Sequence, residues 1–343
     1  MLKIICIEEH AADPAIGQAA GPAMQRDAPY MALSCTERAA SAPRNTRRPT
    51  FLPMNRVGPL AADLGATRIS AMDEQAIQMQ VVSWASPIQM TAASDAPALA
   101  RAANDRLAAA IAENPSRLSG FATLPWQNPT AAADELSRAV TELGLKGALI
   151  LGRPSDSFLD DPRYLPVFER LNALKAPLYI HPFVPLPPVQ QAYYGGLDPE
   201  VTAQFSLAGW GWHHEAGVQT LRLILAGLLD RFPDLRIISG HWGEMVPFFL
   251  ARLDDTLPSA VTGLSRSVSE TYRSQVWVTP SGMFDRPHFE FIHKVLGADR
   301  IIWSVDYPYV TLDGTREFLE ALPVSDEDRE KIAHRNAEQL LGL

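Results

Sequence analysis

The chain has 343 residues, 47% of them hydrophobic, with two cysteines and a formal net charge of −9. That is enough apolar material for one large core, and without a basic stretch it argues against nucleic acid as a partner. No apolar run reaches the roughly 18–20 residues of a membrane span, no signal-peptide layout opens the chain and two cysteines do not make a disulfide framework, so a cytoplasmic protein acting on a small molecule is expected.

A first strand is expected at residues 3–10. From about residue 66 the pattern alternates: a helix over 69–78, a short apolar strand at 81–84 and an Ala-rich helix over 95–113 stopped by Asn114-Pro115. Strand, helix and strand follow at 118–124, 129–143 and 147–151, then a helix and strand at 164–174 and 177–181. The helix at 219–232 leads into a strand at 235–241, and a helical stretch covers 245–256. A strand at 276–280, a helix near 284–295 and a last strand at 300–306 complete about eight strands. Alternation of this regularity predicts a single α/β domain over residues 1–343, a (β/α)8 barrel of parallel strands.

Two segments break the rhythm. Residues 11 to about 65 are rich in Ala, Pro and Arg with little periodicity, and residues 183–215 form a second long excursion. Long excursions of this kind are usually functional. Both leave the C-terminal ends of strands, so they are expected to roof one mouth of the barrel as a lid or subunit contact. The first carries Arg26, Arg38, Arg44, Arg47, Arg48 and Arg56, most of them expected in solvent.

Metal-binding side chains end four of the strand-like runs: Glu8 and His10, His181, His241, and Asp306. Side chains alternate faces along a strand, so Glu8 and His10 share a face about 7 Å apart, with Glu9 on the other. Gly240 and Gly243 allow a tight turn around His241, and an acidic group ending an apolar strand needs a partner or a metal. Carboxylates and imidazoles converging at the C-terminal strand ends of a barrel describe a divalent-metal site, with Zn²⁺ and Mn²⁺ both admissible. His213 and His214 are read as a polar cluster packing the lid, with reach to the mouth as the alternative. Trp84, Trp303 and Tyr307 stand at strand ends, suited equally to stacking on a ring or to core packing.

The ordered motifs Ile7-Glu-Glu-His10, Arg101-Ala-Ala-Asn-Asp105, Phe121-Ala-Thr-Leu-Pro125, Ile180-His-Pro182, Ile238-Ser-Gly-His-Trp-Gly-Glu244, Arg252-Leu-Asp254 and Ser304-Val-Asp-Tyr-Pro308 resemble the decarboxylase branch of the amidohydrolase superfamily. That branch includes γ-resorcylate decarboxylase, the nearer in likeness, and aminocarboxymuconate-semialdehyde decarboxylase. The resemblance implies Glu8, His10, His181 and Asp306 as ligands of one divalent ion, Zn²⁺ or Mn²⁺, with no organic cofactor. It places His241 beside metal and substrate, makes Glu244 its support and gives Arg252 the substrate's carboxylate to hold; the two excursions are expected to contribute to a homodimer or homotetramer. The activity implied is non-oxidative decarboxylation of a hydroxylated aromatic or related unsaturated acid, Asp306 delivering a proton to the carboxyl-bearing carbon. The alternative is a hydrolase or hydratase using a metal-activated water of pKa roughly 7. Phe183-Val184, after His181-Pro182, departs from the polar and basic residues of γ-resorcylate decarboxylase, so the substrate name does not transfer.

Overall fold

The computed structural model describes residues 1–34, 36 and 47–343; Cys35, Arg38 and Arg44 lie outside the described residues. Seven short strands, β1 (Ile5–Ala11), β2 (Met79–Trp84), β3 (Leu118–Gly120), β4 (Ala148–Leu151), β5 (Pro177–His181), β6 (Arg236–Ser239) and β7 (Val276–Val278), alternate with helices. They form the orders β1-β2-β3 and β4-β5-β6-β7, parallel throughout.

Backbone bonds join the two ladders into a ring. The Ala122 amide donates to the Gly147 carbonyl at 2.9 Å and Leu149 donates back to Ala122 at 3.0 Å. On the far side Ile302 donates to Val278 at 2.9 Å, and Ile7 donates to Trp303 at 3.1 Å. Residues 301–306 are therefore the eighth stave of a (β/α)8 barrel. Only Ile301 is bridged there, not the full strand expected over 300–306, because the stave's bonds are divided between β7 and an irregular β1.

The strand alternation sorts the core into two layers. Ile5, Ile7, Phe121, Leu149, Ile238 and Ile302 fill the barrel interior. Ile4, Cys6, Val82, Ile150, Ile237 and Trp303 face outward and pack among the helices. Each such burial stabilises the fold by about 1.5–3 kcal/mol, so the lower barrel is a solid plug on which the polar upper layer rests.

The excursion over 11–65 is more regular than its composition predicts. It holds the helices Pro14–Asp27 and Met54–Ala61 and the 3₁₀ turn Pro29–Leu33. Asp13 caps the first by accepting from Ile16 N at 2.9 Å, and Pro14 suits its first turn. Only Ile16 and Ala20 of that helix are buried, which is why no apolar stripe announced it. The second excursion touches the first: Gln190 Nε2 donates to the Asp27 carbonyl at 2.8 Å. The helix expected over 219–232 instead begins at Gly211 and breaks after Leu225, with Gly227 at φ 73° before Leu228–Arg231. Among the described residues no helix is long and apolar enough to cross a membrane.

Candidate metal centre and active site

A bulge in β1 aims its two ligands. Pairing steps from Cys6↔Gln80 to Glu9↔Val82, three residues against two. Ile5 and Ile7 face the interior, so strict alternation would next turn Glu9 inward. The extra residue re-phases the strand, and Glu8 and His10 enter the barrel mouth instead. The other candidate ligands are placed differently: His181 ends β5 two residues after Tyr179, at the strand period, whereas Asp306 follows Ser304 with its backbone turned to φ 72°.

Glu8 is fully buried, and one of its oxygens is tethered. Its Oε2 accepts from Thr279 Oγ1 and Ser304 Oγ, each at 2.9 Å, and from Ser281 Oγ. That leaves Oε1 pointing at the histidines, 3.7 Å from His181 Nε2. His181 Nδ1 donates to the Pro182 carbonyl at 2.8 Å, which leaves a lone pair on Nε2. Asp306 Oδ1 lies 3.0 Å from His10 Nε2 and 3.9 Å from His181 Nε2.

Glu8 Oε1, His10 Nε2, His181 Nε2 and Asp306 Oδ1 are all buried, and none has a hydrogen-bond partner. Those of Glu8, His10 and His181 lie within 4.8 Å of one another. Buried polar atoms left unpaired are costly, and these four face one another across one small space. Two carboxylate oxygens and two imidazole nitrogens make a donor set that fits one divalent ion. The sequence-predicted quartet is thus brought together. Burial lowers the basicity of His10, keeping it the neutral imidazole a ligand must be. Burial alone would raise the Asp306 carboxyl, but the imidazoles of His10, His181 and His241 hold it well below the usual carboxylate range.

A second cluster is different in kind. His241 Nδ1 and His213 Nδ1 bind opposite oxygens of Glu244, at 2.8 and 2.9 Å. Every ligand-type atom facing Glu244 is satisfied there, so this is a hydrogen-bonded relay and not a second metal site. Burial works against charge on both partners. The Glu244 carboxylate nevertheless drives the His241 imidazole well above its ordinary range, and His241 and His213 pull Glu244 down. The Glu244 carboxylate thus favours a protonated His241, whose Nε2 stands 3.9 Å from Asp306 Oδ2. Of the two readings of His213, lid packing and reach to the mouth, the second is the one seen: its ring centroid is 4.3 Å from that of His241. Backbone strain gathers at the same place, with φ of 46° at His241, 49° at Ser281 and 72° at Asp306.

Above the relay opens a cavity of about 390 Å³ whose lining includes Phe51, Trp210, Trp212, His213, His241, Met283 and Asp306. Both excursions contribute, Phe51 from the first and Trp210 and Trp212 from the second. Arg252 is not brought here. It is exposed on the helix Val246–Thr256, and the lining residues do not include it. Trp84, Trp303 and Tyr307 are buried away from the cavity: Trp84 Nε1 donates to the Ala103 carbonyl at 2.9 Å, Trp303 stacks on Phe284, and Tyr307 lies beneath Arg68. Arg26, Arg47, Arg48 and Arg56 are exposed.

Gly240 is needed for the ligand geometry: a Cβ there would stand 2.7 Å from Glu8 Oε1. Because Oε2 is tethered, the carboxylate cannot swing clear. Gly240→Ala is expected to weaken metal affinity by about 10- to 100-fold, the usual cost of disturbing a ligand's support. Titration of the chelator-treated protein with Mn²⁺ measures it, and unchanged affinity would remove Oε1 from the ligand set.

The family described as amidohydrolase matches residues 56–343. The chain is 36% identical over 288 residues to the decarboxylase orsB of Emericella nidulans, covering 82% of this chain and 86% of that one. It is 35% identical over 298 residues to a γ-resorcylate decarboxylase of a Polaromonas species, with coverages of 82% and 88%. Among solved structures, 5-carboxyvanillate decarboxylase LigW from Sphingomonas paucimobilis superposes over the whole of both chains with TM-score 0.86 and 31% identity. A Polaromonas dihydroxybenzoic acid decarboxylase with bound manganese and 2-nitroresorcinol superposes with TM-score 0.83 and 30% identity, over all of this chain and 98% of that one. The barrel and these likenesses agree: the chain belongs to the amidohydrolase family, in its carboxy-lyase branch.

Proposed function

We propose that this protein is a metal-dependent, non-oxidative decarboxylase of a hydroxylated aromatic carboxylic acid. The observation that carries the reading is the convergence of unpartnered ligand-type atoms from Glu8, His10, His181 and Asp306, the last of which also lines an aromatic-walled cavity. Two carboxylates and no thiolate favour Mn²⁺ over Zn²⁺, and manganese is the ion bound in the Polaromonas structure. Glu8, His10, His181 and Asp306 would hold the ion, and its Lewis acidity would ease loss of the ortho-hydroxyl proton, leaving a phenolate whose electron density favours protonation at the carboxyl-bearing carbon.

The remaining work falls to the chain. His241, held by Glu244, offers a cation to the anionic substrate. Phe51, Trp210 and Trp212 provide apolar walls for the ring and exclude water. Asp306 is deprotonated in the resting site, so it first takes a proton, and the ortho-hydroxyl of the substrate is the source. Asp306 then delivers that proton to the carboxyl-bearing ring carbon. The carbon–carboxylate bond breaks, its electron pair restores the aromatic ring, and CO2 leaves; the phenolate regains a proton from solvent. Metal-loaded protein is expected to release CO2 from hydroxybenzoates such as 2,6-dihydroxybenzoate. Turnover of an ester, lactone or amide without CO2 release would favour the hydrolase alternative.

Arg252 fits this reading through a subunit boundary. Phe248 and Arg252 lie four residues apart on one helix, a spacing that puts both on one face. Phe248 is 72% and Phe249 51% exposed, a patch suited to a second copy of the chain in a homodimer or homotetramer. Arg252 then serves the carboxylate of a neighbouring subunit's substrate. Mixed oligomers of Asp306→Asn and Arg252→Ala subunits should recover activity at low substrate beyond the sum of the two homo-oligomers. A monomer by light scattering, fully active, would exclude the arrangement.

A further inference from the structure

The second carboxylate of β1 takes no part in the chemistry above, yet Glu9 is fully buried beside it. Its Oε1 accepts from the Val305 amide at 3.0 Å. Its Oε2 accepts from the Tyr307 amide at 3.2 Å and from Gln80 Nε2 at 3.3 Å. Those two amides flank Asp306. Arg68, also fully buried, closes the network. Its Nη2 donates to the His10 carbonyl at 2.6 Å, its Nη1 to Gln80 Oε1 at 3.0 Å and its Nε to the Asp63 carbonyl at 3.0 Å.

Burying an acid and a guanidinium is costly unless every polar atom finds a partner, and apolar residues of similar volume fill a core as well. What apolar residues cannot do is grip two backbone amides. The residue between those amides, Asp306, sits at φ 72°, a conformation that a side-chain-bearing residue keeps only when its surroundings impose it. We propose that Glu9, oriented by Arg68 and Gln80, is a positioning residue: a clasp that fixes the Asp306 backbone and so aims its carboxylate at the metal and the substrate. Through the His10 carbonyl the same network steadies a second ligand. The inference rests on the reading of Asp306 as ligand and proton carrier.

Glu9→Gln tests it with little change in volume. The amide keeps an acceptor for one flanking N–H and sets a donor against the other. The folded variant is expected to bind Mn²⁺ about 10- to 100-fold more weakly. At saturating Mn²⁺ its kcat on 2,6-dihydroxybenzoate should fall by about the same factor with KM little changed, and the solvent deuterium isotope effect on kcat should rise. A merely structural role would lower the melting temperature and the active fraction alone, leaving Mn²⁺ affinity and isotope effect at wild-type values; that result overturns the clasp. Should Glu9→Gln fail to fold, Arg68→Lys carries the same readouts, since it keeps a charge near Glu9 but loses the guanidinium's fork of bonds. Asp306→Asn is the control. If it turns over like wild type, the reading of Asp306 has failed, and the Mn²⁺ affinity of Glu9→Gln still decides the clasp.

Discussion

Metal-loaded Asp306→Asn protein is expected to lose about 10²- to 10⁴-fold in kcat, the range supplied by a positioned general acid, while still binding substrate. Asparagine keeps an oxygen where Asp306 Oδ1 faces His10 and His181, so the metal is retained. What disappears is the proposed proton carrier at Oδ2, the oxygen toward His241. His241→Asn should lower turnover by a smaller factor, because it removes the cation beside the reacting carboxylate but leaves the proton carrier. Single-turnover CO2 release, with metal content checked in each variant, separates these effects. If metal-loaded Asp306→Asn keeps wild-type turnover, another acid delivers the proton.

The parts of this site that were legible in the sequence are those written in a strand's period of two. His181 and Asp306 end apolar runs, and a barrel of parallel strands must bring such ends to one mouth. Glu8 and His10 read correctly as sharing a face. The device that turns that face inward did not, because a bulge leaves no mark in the hydrophobic pattern of β1. Helix boundaries failed where burial is sparse: Pro14–Asp27 buries only Ile16 and Ala20, too few to signal a helix.

The support around the ligands was the least legible. His213 reaches Glu244 from 31 residues away, and Arg68 reaches the His10 carbonyl from 58. Neither spacing has a local signature, since the contacts arise from how helices pack on the barrel. Glu9 was legible only as facing away from Glu8 and His10, and nothing near it in the sequence pointed to two amides of the last stave. Arg252 shows the converse: a motif places it in the sequence, whereas one chain alone leaves it exposed and away from the cavity. A residue proposed to act across a subunit boundary would become legible only with the assembly.

The double variant Glu8→Ala/His181→Ala is expected to fall from about one divalent ion per chain to almost none, since two of the four unpartnered atoms disappear with it. Stoichiometric metal in that variant would sink the assignment. Stability gives an independent reading, because an ion that binds only the folded state stabilises it by about 2.7 kcal/mol at a hundred times its Kd. Glu8→Gln isolates that contribution. It keeps an oxygen for Thr279, Ser281 and Ser304 and replaces the unpartnered Oε1 by an uncharged amide nitrogen. In chelator, wild type holds a buried charge with one oxygen unmatched, whereas the variant does not, so Glu8→Gln should melt at or above the wild-type temperature. In excess Mn²⁺ the order should reverse, because wild type gains the binding energy and the variant gains little. Melting curves with and without Mn²⁺ measure both signs. A variant that melts below wild type by the same margin in both conditions would mean that Glu8 serves the fold and not the metal.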